Sequence, residues 1–305
     1  MKYTDANGKA LPNAYVLSNT SKGYGWLGNV TVTAKPFKWL DLMAAYTHTV
    51  QKEVSGMPGN DPSSTFANIP SYKGPNETGL HNSLFVIPDR FVASASLHDK
   101  SGNHYSFIYE GSHGGVRVDA STGYTMTNNV SYMLTNDMNQ DGYSYDLVYI
   151  PRDDQVGVGK GEFRFTSEDD MKRFMDFVHS NDYLKRHQGE YAGTYGDPCP
   201  WVHRIDFSYK HDFNFNVRDT KHKLQLSFDM KNVLNFFDST WGVAKYLNPA
   251  IGNDARILTY AGKDAEGYPL FSTPAVISGK TETWTWSYDV GQCWYASIGL
   301  KYFFN

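Results

Sequence analysis

Between Trp201 and Val217 apolar and polar side chains alternate almost without a break, and this alternation restricts the possible folds more than any other feature. Ile205, Phe207, Tyr209, Phe213, Phe215 and Val217 fall on one side, and Arg204, Asp206, Ser208, Lys210, Asp212, Asn214 and Asn216 on the other. A period of two is that of a β-strand with water on one face and an apolar medium on the other. About 16 residues is long for a strand of a globular domain, where five or six is usual.

The pattern recurs. Leu224, Leu226, Phe228 and Met230 alternate with Lys223, Gln225, Ser227, Asp229 and Lys231, so a hairpin is predicted through Arg218 to Lys221. A second hairpin runs through Trp26, Val30, Val32 and Ala34, turns at Pro36 to Lys38, and returns along Leu40, Leu42, Ala44 and Tyr46. A third joins Phe91, Ala93, Ala95 and Leu97 to Tyr105, Phe107 and Tyr109 through Asp99 to Gly102. A seventh strand holds Trp294, Ala296, Ile298, Leu300, Tyr302 and Phe304. Three tight turns therefore alternate with three long connections, about 51–89, 113–200 and 233–290. Compact soluble domains use few long connections, whereas membrane barrels place short periplasmic turns opposite long outer loops. The expected fold class is all-β: a portion of an antiparallel transmembrane β-barrel occupying 1–305, with one short helix in its outer loops.

Composition agrees with strands crossing a bilayer and not with helices. No apolar run reaches the eighteen residues of a spanning helix, and mean hydropathy is -0.51 with 40% hydrophobic residues. A spanning strand shows lipid only every second side chain, so low hydropathy is no objection. The 22 Tyr, 18 Phe and 7 Trp suit interface girdles or sugar-stacking surfaces. The net charge of -4, without basic runs, argues against a nucleic-acid partner. Cys199 and Cys293 are too few for a disulfide framework and lack metal-ligand spacing. Met1 to Ala10 contains no secretory h-region, so an exported chain would be a mature form or a fragment. Seven strands leave two open edges, which hydrocarbon does not tolerate, and the missing strands are expected to precede Met1.

At the last strand Ser297, Gly299, Leu300, Tyr302 and Phe304 resemble the C-terminal signal by which outer-membrane barrels are recognised for assembly, although Asn305 follows the aromatic residue that more often ends such chains. Leu224 to Asn235 (LQLSFDMKNVLN) resembles the segment shortly before the last strand of TonB-dependent receptors, and Arg204-Ile205-Asp206-Phe207 the strand opening before it. Together with Asp137 to Pro151 (DMNQDGYSYDLVYIP) the set is similar to the SusC/Oar-like branch of that family. The resemblance covers about the C-terminal third of such a receptor and implies an outer-membrane location and nutrient uptake of an oligosaccharide, peptide or chelate. It further implies as partners the remaining barrel and plug of a 22-stranded receptor, a surface substrate-binding lipoprotein, and the TonB energy-transducing protein engaged through an N-terminal part. Neither plug nor TonB-engaging box is found in this sequence. Membrane lipid and lipopolysaccharide complete the partners. The rival readings are a smaller oligomeric outer-membrane pore or adhesin, and a secreted carbohydrate-binding β-protein built as a two-sheet sandwich.

Three groups of residues are candidates for chemistry. Asp137, Asn139 and Asp141, followed by Gly142, Tyr143 and Asp146, open like a calcium loop, whose oxygens at alternate positions converge on one hard cation. Val148 stands where a bidentate Glu would close an EF-hand, and an Asp/Asn/Gly-rich turn accounts for the same residues. Tyr143, Tyr145, Trp201, Trp241, Trp284 and Trp286 could stack on sugar rings, or serve as a belt or as loop packing. Ser167 to His179 is predicted to be a helix with Ser167 as N-cap and Met171, Phe174, Met175 and Val178 on one face. That stripe is expected to pack on its own outer loop, with docking of another protein the alternative. No G-x-S-x-G, H-E-x-x-H or P-loop occurs, so nothing points to an enzyme.

Overall fold

In the computed structural model, which describes residues 15–304 except 58, 116, 119–124, 128, 253 and 288, all seven predicted strands form. They are β1 (Tyr24–Phe37), β2 (Leu40–Glu53), β3 (Asp89–His98), β4 (Asn103–His113), β5 (Val202–Val217), β6 (Thr220–Lys231) and β7 (Tyr295–Phe304). Each pairs antiparallel with its sequence neighbour, so the order in the sheet is the order in the chain. The chain is mostly β-sheet, and this sheet does not close. β1 and β7 each have one neighbour, and the two-residue strand His81–Asn82 extends the wall beside β2.

Register turns the alternation of single strands into two opposed surfaces. Ala34, Leu42, Ala95, Phe107, Phe207, Met230 and Ala296 stand opposite one another across all seven strands. One residue away, on the other face, Asp41, Ser96, Ser106, Ser208, Asp229 and Ser297 form an equally continuous polar row. A slip of one residue in any pair would mix the two rows, so the pattern fixes the register. On the polar face Ser208 donates to Asp229 at 2.6 Å, Lys231 pairs with Asp206 at 2.7 Å, and Arg90 pairs with Glu110 at 2.6 Å. The apolar face carries no such bonds at its centre, and none of the described residues covers it: Ile298 is 78% exposed, and apart from Val202, buried at the cap end of β5, no wall residue is part of the core.

The turns follow local chemistry. Asp99 accepts from the N–H groups of Ser101 (2.8 Å) and Asn103 (2.9 Å), and Gly102 supplies the left-handed backbone that ends the turn. Pro36 lies where the β1–β2 register shifts, an edge position at which its missing N–H costs no ladder bond.

The clustered core lies in two of the three long connections, 114–201 and 232–294, and the third, 54–88, adds the buried Leu84 and Val86. Read from sequence as outer loops with one short helix, they fold together into a cap at the end of the wall opposite the tight turns. Its largest sheet orders Val156–Val158, Phe163–Phe165, Pro269–Ser272, Arg256–Lys263 and Met133–Thr135, with three parallel pairings, two of them between segments distant in sequence. The predicted helix spans Glu168–Ser180, and the Ser167 hydroxyl accepts from the Asp170 N–H at 3.1 Å. Phe174, Met175, Phe177 and Val178 are buried beneath it, Phe174 against Phe165, so the stripe packs inside the cap. Arg173 ties the outer side down through the carbonyls of Thr273 and Pro274.

Candidate functional site

Within the cap, a cleft of about 290 Å³ opens where all three long connections meet. The 54–88 segment supplies Tyr72, the 114–201 segment Asp146, Tyr149, Glu162, Phe163 and Tyr191, and the 232–294 segment Phe271. Tyr149 and Tyr191 are register partners on two short antiparallel strands, Tyr149–Ile150 and Glu190–Tyr191, which sets one ring edge-on to the other at 5.3 Å. Tyr72 crosses from the first connection to stack on Tyr191 at 4.1 Å, and Phe163 stacks on Phe271 at 4.2 Å. Such aromatic contacts hold the walls in place without a polar network.

Few polar groups enter. Gln155 donates to Glu162 at 2.9 Å and lies 3.3 Å from the Tyr149 hydroxyl. Asp146 is 4% exposed, and its Oδ2 accepts from the N–H of Met138 at 2.8 Å and, at 3.4 Å, that of Asn139. Burial pushes the Asp146 carboxyl above the ordinary carboxylate value; the two N–H donors oppose that shift, and the carboxylates of Asp141 and Asp137 add to it. Burial likewise raises the Tyr191 phenol.

Asp146 links this cleft to the segment suspected of holding calcium. Asp137 accepts from the Gly142 N–H at 2.8 Å, Asn139 from Asp141 at 3.0 Å, and Asp141 from Tyr143 at 2.8 Å, with Gly142 at a φ of 94°. These bonds describe a self-capping turn, the account that competed with calcium. Among the described residues no group of three or more His, Cys, Asp or Glu side chains is placed to hold a metal ion. The oxygens of Asp137, Asn139 and Asp141 fit a cation in kind, but Asp146 turns instead toward Met138 and the cleft.

The chain matches no family model, no curated protein and no solved structure.

The aromatic residues singled out by sequence do not converge. Tyr143 packs edge-on to Phe66 at 5.4 Å, and the Tyr145 ring lies under Arg256 at 5.2 Å; both sit beside the turn, outside the main cleft. Trp284 packs on the core, Trp286 lies under Lys245 at 4.5 Å, and Trp241 is exposed in the 232–294 segment. The proposed ligand set of Tyr143, Tyr145, Trp241, Trp284 and Trp286 is therefore not one site. Tyr72, Tyr149 and Tyr191 are the tyrosines that the fold does bring together in one cleft. Sequence offered little sign of them, since two-residue strands show no period and the Tyr72 contact joins residues more than a hundred positions apart.

The motif residues near the end have structural explanations. Asn232 donates to the carbonyls of Gly242 (3.1 Å) and Gln292 (2.7 Å), and Asn235 to that of Trp241 (3.1 Å), while Asn235 also accepts from the Trp294 N–H. These two amides pin the start and end of the β6–β7 connection together. On β7, Leu300, Tyr302 and Phe304 extend the apolar surface, whereas Ser297 and Gly299 face the polar side. A side chain at Gly299 would meet the Ser227 hydroxyl at 2.6 Å, so that hydroxyl would have to rotate away to admit one. Asn305 lies outside the described residues. At the cap end of the apolar face, Trp201 stacks on His113 (5.3 Å) and His203 (5.6 Å), and His203 Nδ1 lies 2.6 Å from the Tyr109 hydroxyl.

Proposed function

We propose that the seven-strand sheet is a section of the wall of an outer-membrane β-barrel, with the Phe207 face in hydrocarbon, the Ser208 face toward a water-filled lumen, and the cap outside the cell. One observation carries this reading: a continuous apolar row crosses all seven strands and a continuous polar row lies on the opposite face of β2–β7, while the only dry core among the described residues lies in the cap. Leaving so many large apolar side chains uncovered in water would forfeit roughly 25 cal/mol per Å² of their area, and a soluble sandwich would bury them under a second sheet. The backbone groups at the β1 and β7 edges would likewise need partners in lipid, so strands outside β1–β7 complete the wall.

The aromatic and histidine groups around Trp201, and Tyr302 with Phe304 toward the opposite end, suit the two belts of such a barrel, where ring edges meet headgroups and lipopolysaccharide. With the resemblance in β5, β6 and β7, the function supported best is that of a TonB-dependent, SusC/Oar-like uptake receptor. In that role the cap cleft captures a nutrient and the charged lumen face lines its path. A surface lipoprotein delivering substrate, the plug and the TonB protein would be its partners, and calcium at Asp137, Asn139 and Asp141 would stiffen the cap. The test is extraction from cells that produce the protein. A wall in hydrocarbon stays in the membrane through carbonate and urea washes and leaves only with detergent, whereas release by either wash overturns the reading.

A further inference from the structure

The cap cleft has walls of one electrical character, and that restricts what it can hold. Its lining includes the carboxylates of Asp146 and Glu162 and five aromatic rings, and no Lys, Arg or His. Glu162 has a neutral partner in Gln155. Both donors to Asp146 fall on Oδ2, and among the described residues no hydrogen bond reaches Oδ1. Oδ1 is thus open to the cleft, and on a carboxylate only 4% exposed with no cation beside it an arriving positive charge would be stabilised there. The neighbouring bases are committed elsewhere. Arg256 donates to the carbonyls of Leu134 (2.7 Å) and Ser144 (2.6 Å), and Lys73 pairs with Glu77 at 3.4 Å. Lys73 also holds its ammonium 5.2 Å from the centroid of the Tyr72 ring, so one ring of the cleft already attracts a cation.

We propose that this cleft selects a protonated amine carried on an apolar or aromatic body, the ammonium meeting Asp146 and the tyrosine faces while the body lies against Phe163 and Phe271. A neutral sugar could stack on the rings but would leave Asp146 uncompensated. At about 290 Å³ the cleft is at the small end of ligand pockets, suited to one amine-bearing unit and not to an oligosaccharide chain. The inference deepens the capture role proposed for the cap and rests on it.

The experiment measures calorimetric binding of phenethylammonium and of its neutral analogue 3-phenylpropan-1-ol to the purified full chain in detergent. The native protein should prefer the ammonium by about tenfold or more, a preference of the size expected for a desolvated cation–π and carboxylate contact. Asp146→Asn should reduce the preference below about threefold while leaving the alcohol unchanged, and Tyr191→Ala should weaken both ligands. Glu162→Gln replaces Asp146→Asn should the latter not fold, with the same direction expected. Equal or tighter binding of the alcohol by the native protein overturns the amine assignment and leaves capture by the cap standing. Binding of neither ligand overturns both.

Discussion

The wall and the cap handle their apolar side chains in opposite ways. In the cap, Phe174, Phe177, Leu184, Ile257 and Leu258 are fully enclosed and touch one another, as in any water-soluble domain. In the wall, Ile298, Leu300, Phe107 and Phe213 are as apolar but stay open, and order comes from backbone ladders and cross-strand pairs. One chain thus contains a region that brings its own dry interior and a region whose apolar face is left open. On the proposed reading that difference is one of environment: the cap is built for water, and the wall for an interface between water and lipid.

That contrast can be broken at several points. The largest effect is expected for Phe174→Ala, which empties a site with no exposure beside Phe165; it should cost the cap about 3–5 kcal/mol. Limited proteolysis should then cut within 114–201 while the wall still assembles. Loss of both together would mean that the two regions are one cooperative unit. Next, Phe207→Lys should cost about 2–4 kcal/mol of membrane stability, whereas Ser208→Lys, one residue on and facing the lumen, should cost little. Equal effects in a folding titration from lipid vesicles would remove the distinction between the faces.

A smaller effect concerns pH. Asp197 accepts from the buried Tyr132 hydroxyl at 2.6 Å, and burial pushes its carboxyl up to about 6 against that bond and the fields of Arg186 and His187. The folded cap then holds this proton more tightly than the unfolded chain, whose carboxyl titrates near 3.8. Stability should therefore be greatest below that lower value, fall by on the order of 3 kcal/mol as pH rises from there through about 6, and stay level above it. Asp197→Asn should flatten that dependence in cap unfolding; an unaltered profile would place its origin elsewhere. Least of all, calcium should raise the cap's melting temperature by a few degrees through Asp137, Asn139 and Asp141. An unchanged temperature after chelation would leave these residues as a turn only.

How much of this could be read in advance follows the same division. The wall was legible because alternation over seven or more residues is a repeated, local signal, visible in Ile205 to Val217 and again in Leu224 to Met230. β2 runs farther than its apolar positions indicate, through Thr47 to Glu53, because the strand continues above the apolar band with polar residues on both faces. The helix was legible too, since Ser167 and Asp170 mark its start and its stripe repeats at helical spacing. The cap's sheets were not. Val156–Val158 pairs in parallel with Phe163–Phe165, and Arg256–Lys263 with Met133–Thr135, in strands mostly too short to show a period and in pairings with no local cue. For the same reason the aromatic cleft was not legible: residue type marked Trp284 and Trp286 as able to stack on a ligand, but only the fold brings Tyr72, Tyr149 and Tyr191 together.

The central claim is that residues one apart on β5 meet different media. Single cysteines at 204 through 209, on a background with Cys199 and Cys293 replaced by serine, can carry a spin label in membranes from producing cells. Labels at 205, 207 and 209 should be accessible to oxygen dissolved in lipid, and labels at 204, 206 and 208 to a water-soluble nickel reagent, alternating through the set. If the odd positions are reached by nickel, or shielded from both reagents as in a dry interior, the account is contradicted.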